Sequence, residues 1–121
     1  MGTPKVKLSD GLYFGAKAAE QEEKIRRALR KGAWFPGLFL ITYPLNEAEQ
    51  LDIIEAKYLR NDIILRTLPP VVGLAVGKRE AYEVIAKIAH DTFQATGACD
   101  MKSYLRQTDA AGMRPSGRNI S

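Results

Sequence analysis

Hydrophobic and polar positions along the chain follow two rhythms, one of period two and one of about 3.6, separated by glycine and proline. The clearest element is Val71-Val72-Gly73-Leu74-Ala75-Val76, which turns through Gly77 into a segment with apolar residues at Ala81, Val84, Ile85, Ile88, Ala89 and Thr92 or Phe93. The continuous apolar run predicts a covered strand, and the spacing after it predicts an amphipathic helix stopped by Gly97. Leu38-Phe39-Leu40-Ile41-Thr42-Tyr43, closed by Pro44, predicts a second covered strand. Ala16 to Lys31 predicts a helix with Glu20, Glu22 and Glu23 early and Arg26, Arg27, Arg30 and Lys31 late, an order that suits its own dipole. Its apolar stripe is narrow (Ala18, Ile25, Ala28, Leu29), as for a helix that covers a sheet on one side and is wet on the other.

Other segments leave alternatives open. Lys5 to Leu8 alternates, Ser9-Asp10-Gly11 reads as a turn, and Leu12-Tyr13-Phe14 resumes apolar character, giving a short hairpin or an extended arm. Asn46 to Leu59 reads as a helix capped by Asn46, or as a turn followed by a strand over Leu51 to Ala56. The strand is preferred because the short connection after Pro44 suits a hairpin. Arg60 to Leu68 is a connection of undetermined form. Cys99 to Arg106 suggests one last turn or edge strand, and Gln107 to Ser121 predicts a flexible tail. The expected architecture is α+β: a two-layer domain over residues 1–106, with an N-terminal arm over 1–15. Its three-stranded, mainly antiparallel sheet is packed by two helices in the order helix-strand-strand-strand-helix.

Composition narrows the function classes. With 121 residues, 45% apolar and 26% charged, the chain has an ordinary globular make-up and the length of one domain. A single cysteine, Cys99, excludes an internal disulfide and a CxxC motif. No apolar run approaches the ~18 residues of a membrane span, and no apolar segment follows the N-terminal cations as in a signal peptide. The expectation is a bacterial-type cytoplasmic protein. Half of the net charge of +4 lies in residues 100–121, which hold four cations and two acids. Such basicity permits nucleic-acid binding without demanding it.

Two places could carry binding chemistry. Gly77, Lys78 and Arg79 stand where a strand–glycine–helix junction aims N–H groups at an anion, although Glu80 and Glu83 could simply offset the cations. Lys24, Arg26, Arg27, Arg30 and Lys31 form a cationic run that could meet a phosphate backbone or serve only its own helix end. Enzyme chemistry has little support. His90 and Asp91 are helix neighbours that point apart, Cys99 reads as an inert thiol, and no metal-ligand or cofactor spacing occurs. Asp52 and Glu55 do not pair on one strand face. Trp34, Phe35, Phe39 and Tyr43 suit a core or a self-association surface better than base stacking.

The predicted order of elements over residues 16–96 is similar in outline to the double-stranded-RNA-binding domain, and Lys78-Arg79-Glu80-Ala81-Tyr82 partly echoes that family's basic Lys-Lys-x-Ala-Lys motif. Tyr82 replaces the third cation, and Pro44-Leu45-Asn46-Glu47 lacks the family's Gly-Pro-x-His loop, so the resemblance is topological. The pattern also resembles small bacterial domains of no assigned function. The leading expectation is a non-enzymatic binding or adaptor module acting through protein contacts or a homodimer. RNA or DNA phosphate binding through the basic helix ends comes second, and a small-anion binder or enzyme at the Gly77 junction third.

Overall fold

In the computed structural model, which describes residues 6–31 and 35–111, the α+β class holds but the sheet has four strands and is covered on both faces. The chain runs β1 (Leu8–Phe14), α1 (Ala16–Glu20), α2 (Glu22–Arg30), β2 (Leu38–Thr42), β3 (Asp52–Glu55), a 3₁₀ turn (Ala56–Arg60), α3 (Asp62–Thr67), β4 (Val71–Val76), α4 (Lys78–Thr96) and α5 (Met101–Ala111). Strand order is β1-β4-β2-β3, with β1 parallel to β4 and the other pairs antiparallel.

The expected three-stranded sheet and two helices are therefore corrected. Residues 8–14 are neither arm nor hairpin but an edge strand. Asp10-Gly11 does not turn the chain back; it lies in an irregularity where β1 advances from Leu8 to Tyr13 while β4 advances from Val71 to Gly73. The preferred strand reading after Asn46 is correct: β3 pairs with β2 from Thr42↔Asp52 to Phe39↔Glu55. Asn46 caps only a turn, its side chain accepting from Ala48 N–H at 2.9 Å. Arg60 to Leu68 contains α3, whose first N–H groups, from Ile63 and Ile64, donate to the Asn61 side chain. The expected helix from Ala16 to Lys31 is broken at Gln21, whose N–H bonds back to the Ala18 carbonyl in a tight turn. The break lets Ala18 bury against the sheet end while Ile25 and Leu29 turn inward separately. With α1 and α2 separated, α3 inserted between β3 and β4, and β4 lying beside β2, the element order that carried the RNA-binding-domain likeness is not kept.

Alternation along the strands feeds two cores. Leu12, Phe14, Leu38, Leu40 and Leu74 face α1, α2 and α3, together with Ile25, Leu29 and Leu65. Tyr13, Ile41, Tyr43, Val72 and Ala75 face α4 and α5, with Val84, Ile88 and Leu105. Gly73 lets α4 approach closely: a Cβ there would stand 3.0 Å from Val84 Cγ1. Of the two readings for the aromatic residues, core or self-association surface, the core reading holds for those described. Tyr43 is buried and Phe35 and Phe39 pack on the two cores, while Trp34 lies outside the described residues.

α5 is the other correction. It continues to Ala111, through the first five residues of the expected tail; residues 112–121 lie outside the described residues. Polar ties hold it. Lys102 Nζ donates to the carbonyls of Glu47 and Glu49, Arg106 grips Glu47 through both carboxylate oxygens (2.9 and 3.2 Å), and Asp109 accepts from Tyr43 Oη and Ser9 Oγ. Hydrogen bonding to Arg106 lowers the pKa of Glu47, and the pairing raises that of Arg106. A carboxylate whose folded pKa is depressed contributes stability above its unfolded pKa and loses it as pH falls through the folded value. Acidification below the usual carboxylate range is thus expected to lower the protection of α5 amides, corrected for the slower intrinsic exchange in acid, slightly and before that of the sheet, since the pair is exposed. Hydrogen exchange followed down a pH series checks this, and simultaneous loss of protection in α5 and the sheet would contradict it.

Candidate functional site

Two regions define the surface available for binding: the strand ends where the chain switches sides, and the outward face of α4. At the first, β1 and β4 are parallel neighbours. The chain leaves β1 into α1 on one side of the sheet and β4 into α4 on the other, with Ala18 in the first core and Ala81 in the second. In open α/β sheets such a switch point forms a crevice. Here Glu80 fills it. Glu80 is 7% exposed, and its carboxylate accepts from three backbone N–H groups: Lys17 at 2.9 Å, Ala18 at 3.1 Å and Val76 at 2.8 Å. Gly15 leaves it room, since a Cβ there would stand 2.1 Å from Glu80 Cγ.

The sequence-predicted junction therefore exists, with an internal carboxylate built into it. Gly77 adopts φ 95° and donates to the Gly37 carbonyl at 2.8 Å. Lys78, Arg79, Glu80 and Glu83, with Lys17 from α1, border a shallow depression of about 390 Å³. Arg79 lies 3.9 Å from Glu83 and is almost wholly in solvent. Sequence reasoning misses Lys17, and it treats Glu80 only as an offset to Lys78 and Arg79. The available signal is a glutamate in the third position of α4, where such side chains turn back to bind N–H groups.

The second predicted cluster stays apart from the first. Arg26 and Arg30 border a cleft of about 270 Å³ with Val6, Leu8 and Leu29, at the starting end of β1. Arg26 is tied to Glu22 at 2.8 Å and lies over the Phe14 ring. Arg27 lies on α2 beside Glu23, and Lys31 caps its C-terminus. The cluster runs from the end of β1 where Leu8 is level with Val71 toward Phe14, which lies under Arg26 and is level with Leu74. It also lies on the opposite face of the sheet, against the first core rather than the second. The sequence leaves open whether the two basic clusters share a face, and the fold sets their helices on opposite faces of the sheet.

The remaining candidates separate as well. Asp91 turns from His90 to accept from Tyr13 Oη at 2.6 Å and pairs with Lys87 at 3.2 Å. Cys99 is exposed in the turn between α4 and α5. Asp52 accepts from Leu45 N–H, and Glu55 lies 3.9 Å from Lys57. Among the described residues, no group of three or more His, Cys, Asp and Glu could hold a metal ion, and no helix is long and apolar enough to cross a membrane.

The outward face of α4 departs from expectation in a more informative way. Of the alternatives Thr92 and Phe93 for the buried stripe, Thr92 is buried, its hydroxyl bonded to the Ile88 carbonyl, and Phe93 stands 53% exposed. Tyr82 is 55% exposed. Successive helical residues are about 100° apart, so Tyr82, Ala86, Ala89 and Phe93 fall within about 60° of one another along about 16 Å of helix. This is an apolar stripe turned from the sheet, exposed at Tyr82, Ala86 and Phe93, with Ala89 and Ile85 half-buried at its margin. Comparisons with protein-family models, curated proteins and solved structures find no match.

Proposed function

We propose that the protein is a non-enzymatic binding module that acts by self-association, with the outward stripe of α4 as its contact surface. The observation that carries this reading is the pairing of exposed Tyr82 and Phe93, three turns apart, across Ala86 and Ala89 on one helix face. Large exposed aromatics aligned on one face make an unusually apolar surface, and aromatic residues are favoured at association sites. The sheet faces give no competing surface, because both are packed by the protein's own helices. Separation of the two cationic clusters leaves a phosphate-backbone reading without a continuous face.

A stripe of about three turns is below the ~800 Å² per partner of a standard interface, so association is expected to be weak and concentration-dependent. Light scattering under reducing conditions, which keeps Cys99 from linking chains, is expected to show mass rising with concentration. Tyr82→Lys/Phe93→Lys is expected to stay monomeric with an unchanged melting temperature. Ile63→Lys, which alters a still more exposed apolar residue on α3, is expected to behave as the parent. A parent chain that is monomeric at every concentration, or a double variant that associates like the parent, would refute the reading.

A further inference from the structure

Resting on the self-association reading, we infer that the occupant of the α4 stripe is α4 of a second copy, packed antiparallel about a two-fold axis, with Arg79 of each copy at the C-terminal turn of the other's helix. The inference comes from an electrostatic mismatch at both ends of α4. Its first turn carries Lys78 and Arg79 against the positive end of the helix dipole. The one acid in that turn, Glu80, faces inward and is committed to the N–H groups of Lys17, Ala18 and Val76. The last turn of α4 contains no cation to meet its negative end. Alone, the helix has cations where they are unfavourable and none where they are favourable.

An antiparallel second copy corrects both ends at once. A two-fold axis near the midpoint of the stripe, between Ala86 and Ala89, sets Tyr82 across from Phe93 of the other copy. It sets Arg79 across from the turn Phe93–Thr96. Residues on the flank beside the stripe then meet their own kind in reverse order: Arg79 with Gln94, and Glu83 with His90. No like charges face each other. A parallel pair would instead place Lys78 and Arg79 beside their own copies, adding repulsion to an unfavourable dipole. The sizes along the stripe fit the same geometry. Crossed helices are closest at the crossing point, where Ala86 and Ala89 stand, and diverge toward the ends, where Tyr82 and Phe93 fill the wider gap.

A charge-swap cycle tests the orientation separately from association itself. In a Cys99→Ser background, sedimentation equilibrium is expected to show Arg79→Glu weakening the dimer about tenfold, since two symmetric charge–dipole contacts reverse. Gln94→Lys is expected to weaken it similarly while leaving the monomer's melting temperature unchanged or higher, because a lysine suits the helix's own C-terminus. The double variant Arg79→Glu/Gln94→Lys is expected to recover most of the parent affinity. If the parent dimerises but Arg79→Glu tightens the dimer, or the double variant shows no recovery, the antiparallel arrangement is wrong while self-association stands. If the parent does not dimerise at all, both fall.

Discussion

Replacing Glu80 by alanine is expected to destabilise the protein by about 3 kcal/mol, because hydrogen bonds to a charged group contribute ~1.5–3 kcal/mol and the orphaned donors remain enclosed. Three backbone N–H groups lose their acceptor together, those of Lys17 and Ala18 at the start of α1 and that of Val76 at the end of β4. At this chain length each kcal/mol shifts the melting temperature by about 4 °C, so a fall of roughly 12 °C is expected in thermal denaturation. The same side chain explains Gly15. Its φ of −69° suits any residue, yet a Cβ would stand within 2.1–2.3 Å of three Glu80 side-chain atoms. Gly15→Ala is therefore expected to be destabilising in the parent and close to neutral once Glu80 is alanine. Additive losses in that double-mutant cycle would show that the two positions do not interact, contrary to the geometry.

Glu80 also bears on function. A switch point between parallel strands exposes backbone donors that often receive a ligand's anionic group. Here those donors are taken by the protein's own carboxylate, which ties the first turn of α1 to the end of β4 and the start of α4. The local chemistry has been turned to joining two layers of the fold. That commitment turns Glu80, the acid of the first turn, inward, so on the outer surface of α4 the acid nearest Arg79 is Glu83, one turn later and 3.9 Å away.

What the residues disclose by themselves is uneven for identifiable reasons. β4 and α4 are legible because continuous apolar spacing changes to helical spacing at a glycine, and Leu74 and Ile88 are fully buried as that pattern requires. β2 and β3 follow from a short proline-closed connection. β1 is hidden because Asp10-Gly11 has the composition of a turn, whereas an irregular parallel edge absorbs it within a strand. α5 is hidden because, among the described residues, only Leu105 along it is fully buried, and Lys102, Arg106 and Asp109 read as solvated charges until Glu47, Tyr43 and Ser9 are brought beside them. The apolar stripe is half legible. Helical spacing places Phe93 beside Thr92 at the edge of the buried face, and only packing decides which turns inward.

Leu105→Ala is expected to produce the second large effect, and its form distinguishes how α5 is held. Large-to-small changes at fully buried leucines typically remove about 2–5 kcal/mol. Leu105 is the one residue of α5 that reaches full burial among the described residues, packed in the core that contains Tyr13, Tyr43 and Ile88. The remaining attachments are half-buried Met101 and Tyr104 at the margin of that core and polar pairs that are partly exposed, and such pairs contribute little in water. Loss of the leucine contact therefore favours release of the whole helix over a cavity beneath it. Hydrogen exchange is expected to rise steeply across Met101–Ala111 in the variant, while β2 and β4 keep their protection to within the global stability loss. Release also removes Asp109 from Tyr43 and Ser9, so tyrosine fluorescence from Tyr43 is expected to shift with the same midpoint as α5 exchange. Uniform loss of protection across sheet and helices would instead mean that α5 is part of one cooperative unit, and that its polar ties hold it more firmly than their exposure implies.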